Sequence, residues 1–169
     1  MSKTILRRKP AVLMAATAAA VVLSAAFAAP AGAEETYPLA GGGLIVAEGT
    51  TADYDEGEKR TAFNPAAQPD PCVETEGARV CFEHSGDIIW VKDTKADGLS
   101  AVGGGHTNYG RYEGCRNKAG HNKWVKCNFD FAEDKKIRME AFRYDGDTGL
   151  YVYPVPRRFS AWLGIDGRV

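Results

Sequence analysis

Four cysteines (Cys72, Cys81, Cys115 and Cys127) and three histidines (His84, His106 and His121) are the residues of this chain with the widest choice of chemistry. Structural zinc wants cysteine pairs two to four residues apart. Here eight residues separate Cys72 from Cys81 and eleven separate Cys115 from Cys127. A dithiol redox centre wants Cys-x-x-Cys, which the chain lacks. The histidines fall into neither His-x-His nor His-Glu-x-x-His, so they read as isolated surface side chains rather than metal ligands. No Gly-x-Ser-x-Gly elbow surrounds Ser85, Ser100 or Ser160. Asp93, Asp97, Asp145 and Asp147 have the chemistry of calcium ligands, but each sits in a stretch that turn formation already explains. A carboxylate pair for glycoside hydrolysis is not singled out in a chain with 22 acidic residues. No catalytic residue, cofactor or metal is therefore expected.

Disulfides are the remaining use of the cysteines, and they need an oxidising compartment. The N-terminus supplies the route to one. Arg7, Arg8 and Lys9 precede an apolar stretch from Ala11 to Ala29, and Ala31-Gly32-Ala33 has the small residues of a signal-peptidase site. Residues 1–33 thus read as a signal peptide, with the exported chain starting at Glu34. General secretion is favoured over the twin-arginine route, because Lys9-Pro10 follows the arginine pair. No later stretch reaches about 18 apolar residues in a row, and no cysteine lies near the cleavage site, so no stable membrane anchor is expected. The expected location is extracellular.

Three pairings of four cysteines are possible. Local turn chemistry favours Cys72–Cys81, around Glu74-Thr75-Glu76-Gly77, and Cys115–Cys127, around Asn117 to Asn122. These close loops of ten and thirteen residues, each contributing about 2.5–3 kcal/mol in the chain-entropy picture.

The leader holds four of the 21 basic residues and none of the acidic ones, so the remaining 136 residues carry 17 against 22, a net of −5. Residues 34–71 account for two basic and eight acidic side chains. This acidic arm contains the run Asp53 to Glu58 and the breakers Asn64-Pro65 and Gln68-Pro69-Asp70-Pro71, and is expected to be mostly flexible. Leu44 to Ala47 is the exception, a candidate strand. Nothing here concentrates positive charge as a nucleic-acid binder would.

Residues 72–169 read as one disulfide-stapled, all-β domain: a small antiparallel sandwich or barrel of seven or eight short strands. Arg79 to His84 and Asp87 to Thr94 are joined by Ser85-Gly86. Ile88-Ile89-Trp90-Val91 is apolar on both faces and should be central. Leu99 to Val102 precedes a flexible Gly103-Gly104-Gly105. Arg111 to Arg116 is expected to pair with Lys123 to Phe131. In the latter, Val125, Cys127, Phe129 and Phe131 share one face, while Trp124, Lys126 and Asn128 share the other. The alternation of Ile137, Met139 and Ala141 breaks at Phe142, which suggests a bulge. Leu150 to Val155, marked by Pro154, reads as an edge strand, and Phe159 to Leu163 as the last one.

The series Trp90 to Gly98, Tyr109-Gly110-Arg111, Cys115-Arg116-Asn117 and Trp124 to Cys127 resembles a group of small exported proteins of Streptomyces-type actinobacteria. The resemblance covers about residues 79–145 and implies export without implying an activity. The two short-loop disulfides are also similar in style to secreted chromophore carriers of the neocarzinostatin type, whose sequence motifs the chain lacks.

Aromatic residues interleave with charges throughout the body, and binding is the expected function. Trp124 on the polar face of its strand, with Lys126 beside it, and Tyr112 are the candidate ligand contacts. An exposed indole among polar groups can stack on a sugar or anchor a protein. The expected partner is a protein or glycan outside the cell, held by a monomer. An inhibitor presenting the Asn117 to Asn122 loop and a small secreted hydrolase are the alternatives.

Overall fold

β-Branched and aromatic runs separated by glycine-bearing turns should pair into sheets, and they do. The computed structural model describes residues 34–37, 44–52 and 70–168. The leader, Gly41 to Gly43, the acidic run and the breakers at 64–65 and 68–69 lie outside the described residues. Twelve strands are described: β1 Glu34–Tyr37, β2 Ile45–Glu48, β3 Thr50–Thr51, β4 Cys72–Thr75, β5 Ala78–Glu83, β6 Ile88–Asp93, β7 Ser100–Thr107, β8 Tyr112–Arg116, β9 Trp124–Asn128, β10 Lys136–Asp145, β11 Leu150–Pro154 and β12 Leu163–Gly164. They form a two-sheet sandwich. The larger sheet runs β1-β11-β10-β7-β8-β2, with β12 also on β10, and the smaller runs β3-β9-β6-β5-β4. Pairing is antiparallel except between β2 and β8, which are parallel.

The core lies between the sheets. Val80, Ile89, Val91 and Val125 from the smaller sheet face Ala101, Ile137, Met139 and Ala141 from the larger. The doubly apolar β6 is central, between β5 and β9, as its composition requires. Close approach of the sheets depends on Gly103 and Gly105. A Cβ on Gly103 would lie 2.6 Å from Val80 Cγ1 and 2.9 Å from Val91 Cγ2, and one on Gly105 3.0 Å from both Ile89 and Ile137. The three glycines are thus the buried middle of β7, not a flexible connection.

Both disulfides pair as the turn chemistry favours, Cys72 with Cys81 and Cys115 with Cys127, but they do different work. Cys72 and Cys81 face each other across the β4–β5 hairpin. Cys115 and Cys127 sit on strands in different sheets: β8 pairs with β7, placing Cys115 opposite Gly103, and β9 pairs with β6, placing Cys127 opposite Ile89. The expected β8–β9 hairpin does not exist, and the second disulfide bolts the two sheets together.

Other expectations are corrected by the pairing. β10 has no bulge; its register against β7 is continuous from Ile137–Thr107 to Tyr144–Ser100. Phe142 breaks the apolar phase because it points outward, where Tyr151 and Tyr153 cover it at ring separations of 5.6 and 4.6 Å. β11 is not an edge, since β1 pairs along it and sets Pro154 opposite Glu34 at the strand end. The Phe159 to Leu163 strand reduces to a single bridge, Phe159 to Glu140, and the two-residue β12. The body alone holds nine strands, β4 to β12, and the arm adds β1, β2 and β3, so the strand count exceeds seven or eight. Leu44 to Ala47 does contain a strand, shifted by one residue to Ile45–Glu48.

Two stability outcomes are expected. Replacing Cys115 and Cys127 together by serine should lower unfolding free energy by about 2–5 kcal/mol, read from urea unfolding. Gly103→Ala should cost about 1–3 kcal/mol through overpacking. Wild-type midpoints in either case would contradict the packing described.

Candidate functional site

Outward-facing residues of β7, β8 and β10 meet because the register aligns them. His106 lies opposite Arg138 on one side and Tyr112 on the other, and Gly104 lies opposite Glu140. After β11 the chain returns alongside β10. Ser160 donates its backbone N–H to the Met139 carbonyl, and the Met139 N–H donates to Ser160 Oγ at 2.8 Å. This return segment brings Arg157, Phe159 and Trp162 to the same face.

Glu140 is the hub. It is fully buried, and four donors reach its carboxylate. Arg157 donates from Nε to Oε1 at 2.5 Å and from Nη2 to Oε2 at 2.6 Å. The Tyr112 hydroxyl donates to Oε2 at 3.1 Å, and His106 Nε2 lies 2.8 Å from the same oxygen. Burial pushes the Glu140 carboxyl up, but the bonds from His106 and Arg157 and the charge of Arg157 outweigh it and hold the group below the usual carboxylate range. Burial, reinforced by Glu140, pushes the Tyr112 phenol far above its ordinary value, so it stays a donor. The tyrosine ring lies flat on the sheet because Gly104 leaves room; a Cβ there would meet the ring at 2.8 Å. The His106 ring stacks on it at 3.8 Å.

Beside this closed network lies an open one. The Arg138 guanidinium sits 4.2 Å from the Phe159 ring centre and 5.0 Å from that of Trp162. Among the described residues it has no carboxylate and no hydrogen-bond acceptor, and its Nε is buried without a partner. Cation–π contacts of this kind contribute about 0.5–1 kcal/mol each near the surface and hold the group in place without neutralising it. Trp162 is 41% exposed, one of two large apolar side chains so exposed among the described residues.

Both Glu140 oxygens are occupied and the group is ionised, so it is neither a free base nor a proton donor. Among the described residues the His106 ring hydrogen-bonds Glu140 and packs against the Tyr112 and Phe159 rings. The other histidines are elsewhere: His84 is exposed beside Gly167, and His121 is exposed in the loop held by Cys115–Cys127. That loop is braced by buried Asn117, whose Nδ2 donates to the Val91 and Lys123 carbonyls at 3.0 and 2.7 Å.

The residues expected to bind do not come together. Tyr112 lies on the outer face of the larger sheet, whereas Trp124 and Lys126 lie on the outer face of the smaller one. Trp124 is on the polar side of β9, as alternation predicts, but it is not exposed: only 8% is accessible, and it packs with Trp90, Cys81 and Ala52 of the arm. Lys126 sits 5.5 Å over the Trp90 ring. Trp124→Ala would therefore report on packing, not on an open stacking surface. Arg138, Glu140, Arg157, Phe159 and Trp162 were not legible as a site. The one local signal was polar residues alternating with Ile137, Met139 and Ala141.

Compared with protein-family models, curated proteins and solved structures, the chain matches none.

A carboxyl whose pKa is lowered by folding contributes stability above its ordinary value of 4.5, and that contribution is lost as pH falls through the folded value. Glu140→Gln should therefore cost about 2–4 kcal/mol at neutral pH, with the gap to wild type closing below about pH 4. Urea midpoints measured from pH 7 down to pH 3 check this; a pH-independent gap would contradict it.

Proposed function

We propose that this is a secreted, non-enzymatic binding protein that holds its ligand on the surface formed by Arg138, Phe159 and Trp162. The observation that carries the reading is the Arg138 guanidinium, held against two aromatic rings and without a hydrogen-bond acceptor among the described residues. An arginine can make five donations, and a group so placed is pre-organised for an acceptor from outside. The exposed indole beside it adds the flat apolar surface that binding anchors favour.

Export supports the reading. The basic and apolar leader with Ala31-Gly32-Ala33 has the form of a signal peptide. Both cysteine pairs are bridged, as is typical of extracellular proteins. No helix among the described residues is long and apolar enough to cross a membrane. The ligand would then be a protein or glycan outside the cell.

The braced loop from Asn117 to Asn122 favours a second reading, an inhibitor of an extracellular enzyme. His121 and Asn122 are exposed on it, as is Lys118, whose ammonium pairs with Glu48.

The test is retention from the producing organism's culture and wall fractions on immobilised protein with its disulfides intact. A component held by wild type and reduced about thirtyfold by Trp162→Ala, the loss typical of an anchor worth 2 kcal/mol, supports the first reading. Retention of an enzyme with Trp162→Ala as effective as wild type would shift the site to the loop. Retention of nothing would sink both.

A further inference from the structure

We infer that the ligand of the Arg138 surface is an acidic glycan, a chain of sugar rings each bearing a carboxylate; this rests on the binding reading above and specifies its ligand class. Three observations lead there. First, the surface carries unbalanced positive charge. Glu140 is fully buried and shared among Arg157, His106 and Tyr112, which leaves Arg138 with no carboxylate among the described residues. Second, the donors of a guanidinium form a planar fork that matches a carboxylate. Phe159 and Trp162 lie close to Arg138 and restrict the orientation of that fork.

Third, the surface next to Arg138 is an exposed aromatic ring. Trp162 stays 41% exposed while contacting Arg138. A pyranose presents a flat face of C–H groups that stacks on an indole, and in a uronic acid the carboxylate is fixed directly to that ring. A polymer repeats the pair, so a sugar stacked on Trp162 brings its own or its neighbour's carboxylate alongside Arg138. An aspartate or glutamate of a peptide offers the charge on a flexible stem with no flat face beside it. A bare phosphate offers charge alone and gives Trp162 nothing to do.

The positive edge of the surface continues to Arg157, whose side chain is 45% exposed although it bonds Glu140. Its guanidinium lies 4.3 Å from the Tyr153 ring. Arg157 holds the Glu140 network together and so is not a clean site for substitution, whereas Arg138 and Trp162 bear on no such network.

The probe is tetragalacturonic acid, titrated by calorimetry into the full disulfide-bonded protein, with the carboxyl-reduced tetrasaccharide, inorganic phosphate and an oligoglutamate peptide as comparisons. The inference expects binding of the tetragalacturonate, weakened by about tenfold or more in both Arg138→Gln and Trp162→Ala, and much weaker binding of the reduced sugar. Equal binding of phosphate and sugar acid, with Trp162→Ala matching wild type, would reduce the site to a simple oxyanion contact and overturn the glycan. Tighter binding of oligoglutamate would overturn it in favour of an acidic protein. No binding of tetragalacturonate at millimolar concentration overturns the ligand class, and leaves the binding reading to stand or fall on the retention experiment. Near-ultraviolet circular dichroism of both variants confirms that a loss of binding is not a loss of fold.

Discussion

A side chain on any of residues 103–105 would collide with something. At Gly103 it would run into Val80 and Val91 of the facing sheet, at Gly105 into Ile89 and Ile137, and on the opposite surface, at Gly104, into the Tyr112 ring. One stretch of backbone therefore sets two separations: that between the sheets, and that between the larger sheet and the aromatic layer on its outer face. The first brings the aliphatic core to contact distance, where dispersion and exclusion of water act together. The second lets Tyr112 lie down far enough for its hydroxyl to reach Glu140. The core and the surface network thus share one steric requirement, on a strand that pairs with β10 on one side and β8 on the other.

Charge is handled in two contrasting ways. Glu140 and Arg143 are buried, and each is compensated. Glu140 has Arg157, His106 and Tyr112, while Arg143, at the inward end of β10, is bracketed by Asp97 and Glu34. A buried ion left alone costs several kcal/mol, so these partners are conditions of folding. Arg138, on the same strand, is treated otherwise. It is only partly buried, so water limits the penalty, and aromatic faces stand where a carboxylate would be expected. A strand that neutralises two of its charges and leaves a third for solvent separates scaffold from surface within ten residues.

Much of the fold was legible in particular residues. The doubly apolar Ile88 to Val91 run told of a central strand, and the turn residues within each cysteine interval told of the pairing. What was not legible involves choices that local chemistry leaves open. Gly120 and Asn122 take positive φ values of 89° and 62°, which suit a hairpin and a crossing between sheets equally well, so β8 and β9 looked like partners. Phe142 departs from the inward phase of β10 without any break in pairing, since an outward aromatic with its own cover gives the same pattern as a bulge. The candidate site was hidden for a related reason. His106, Arg138 and Trp162 are far apart in the chain, and only strand register and the return segment bring them together. Trp124 drew notice because it stood on a polar face, yet alternation reports direction and not cover.

Of the four outermost strands of the two sheets, β1, β2 and β3 all come from the stretch that precedes Cys72, and only β4 belongs to the body that follows. An unpaired outer strand offers a row of free N–H and C=O groups to any passing chain, the usual start of edge-to-edge aggregation. Without the arm, β11, with Tyr151 and Tyr153, would become such an edge, as would β8 and β9. The acidic segment therefore does more than confer solubility through charge. Its short strands occupy the positions at which copies of this protein would otherwise zip together, so a chain clipped ahead of Cys72 would keep its disulfides and its core and lose its colloidal reserve.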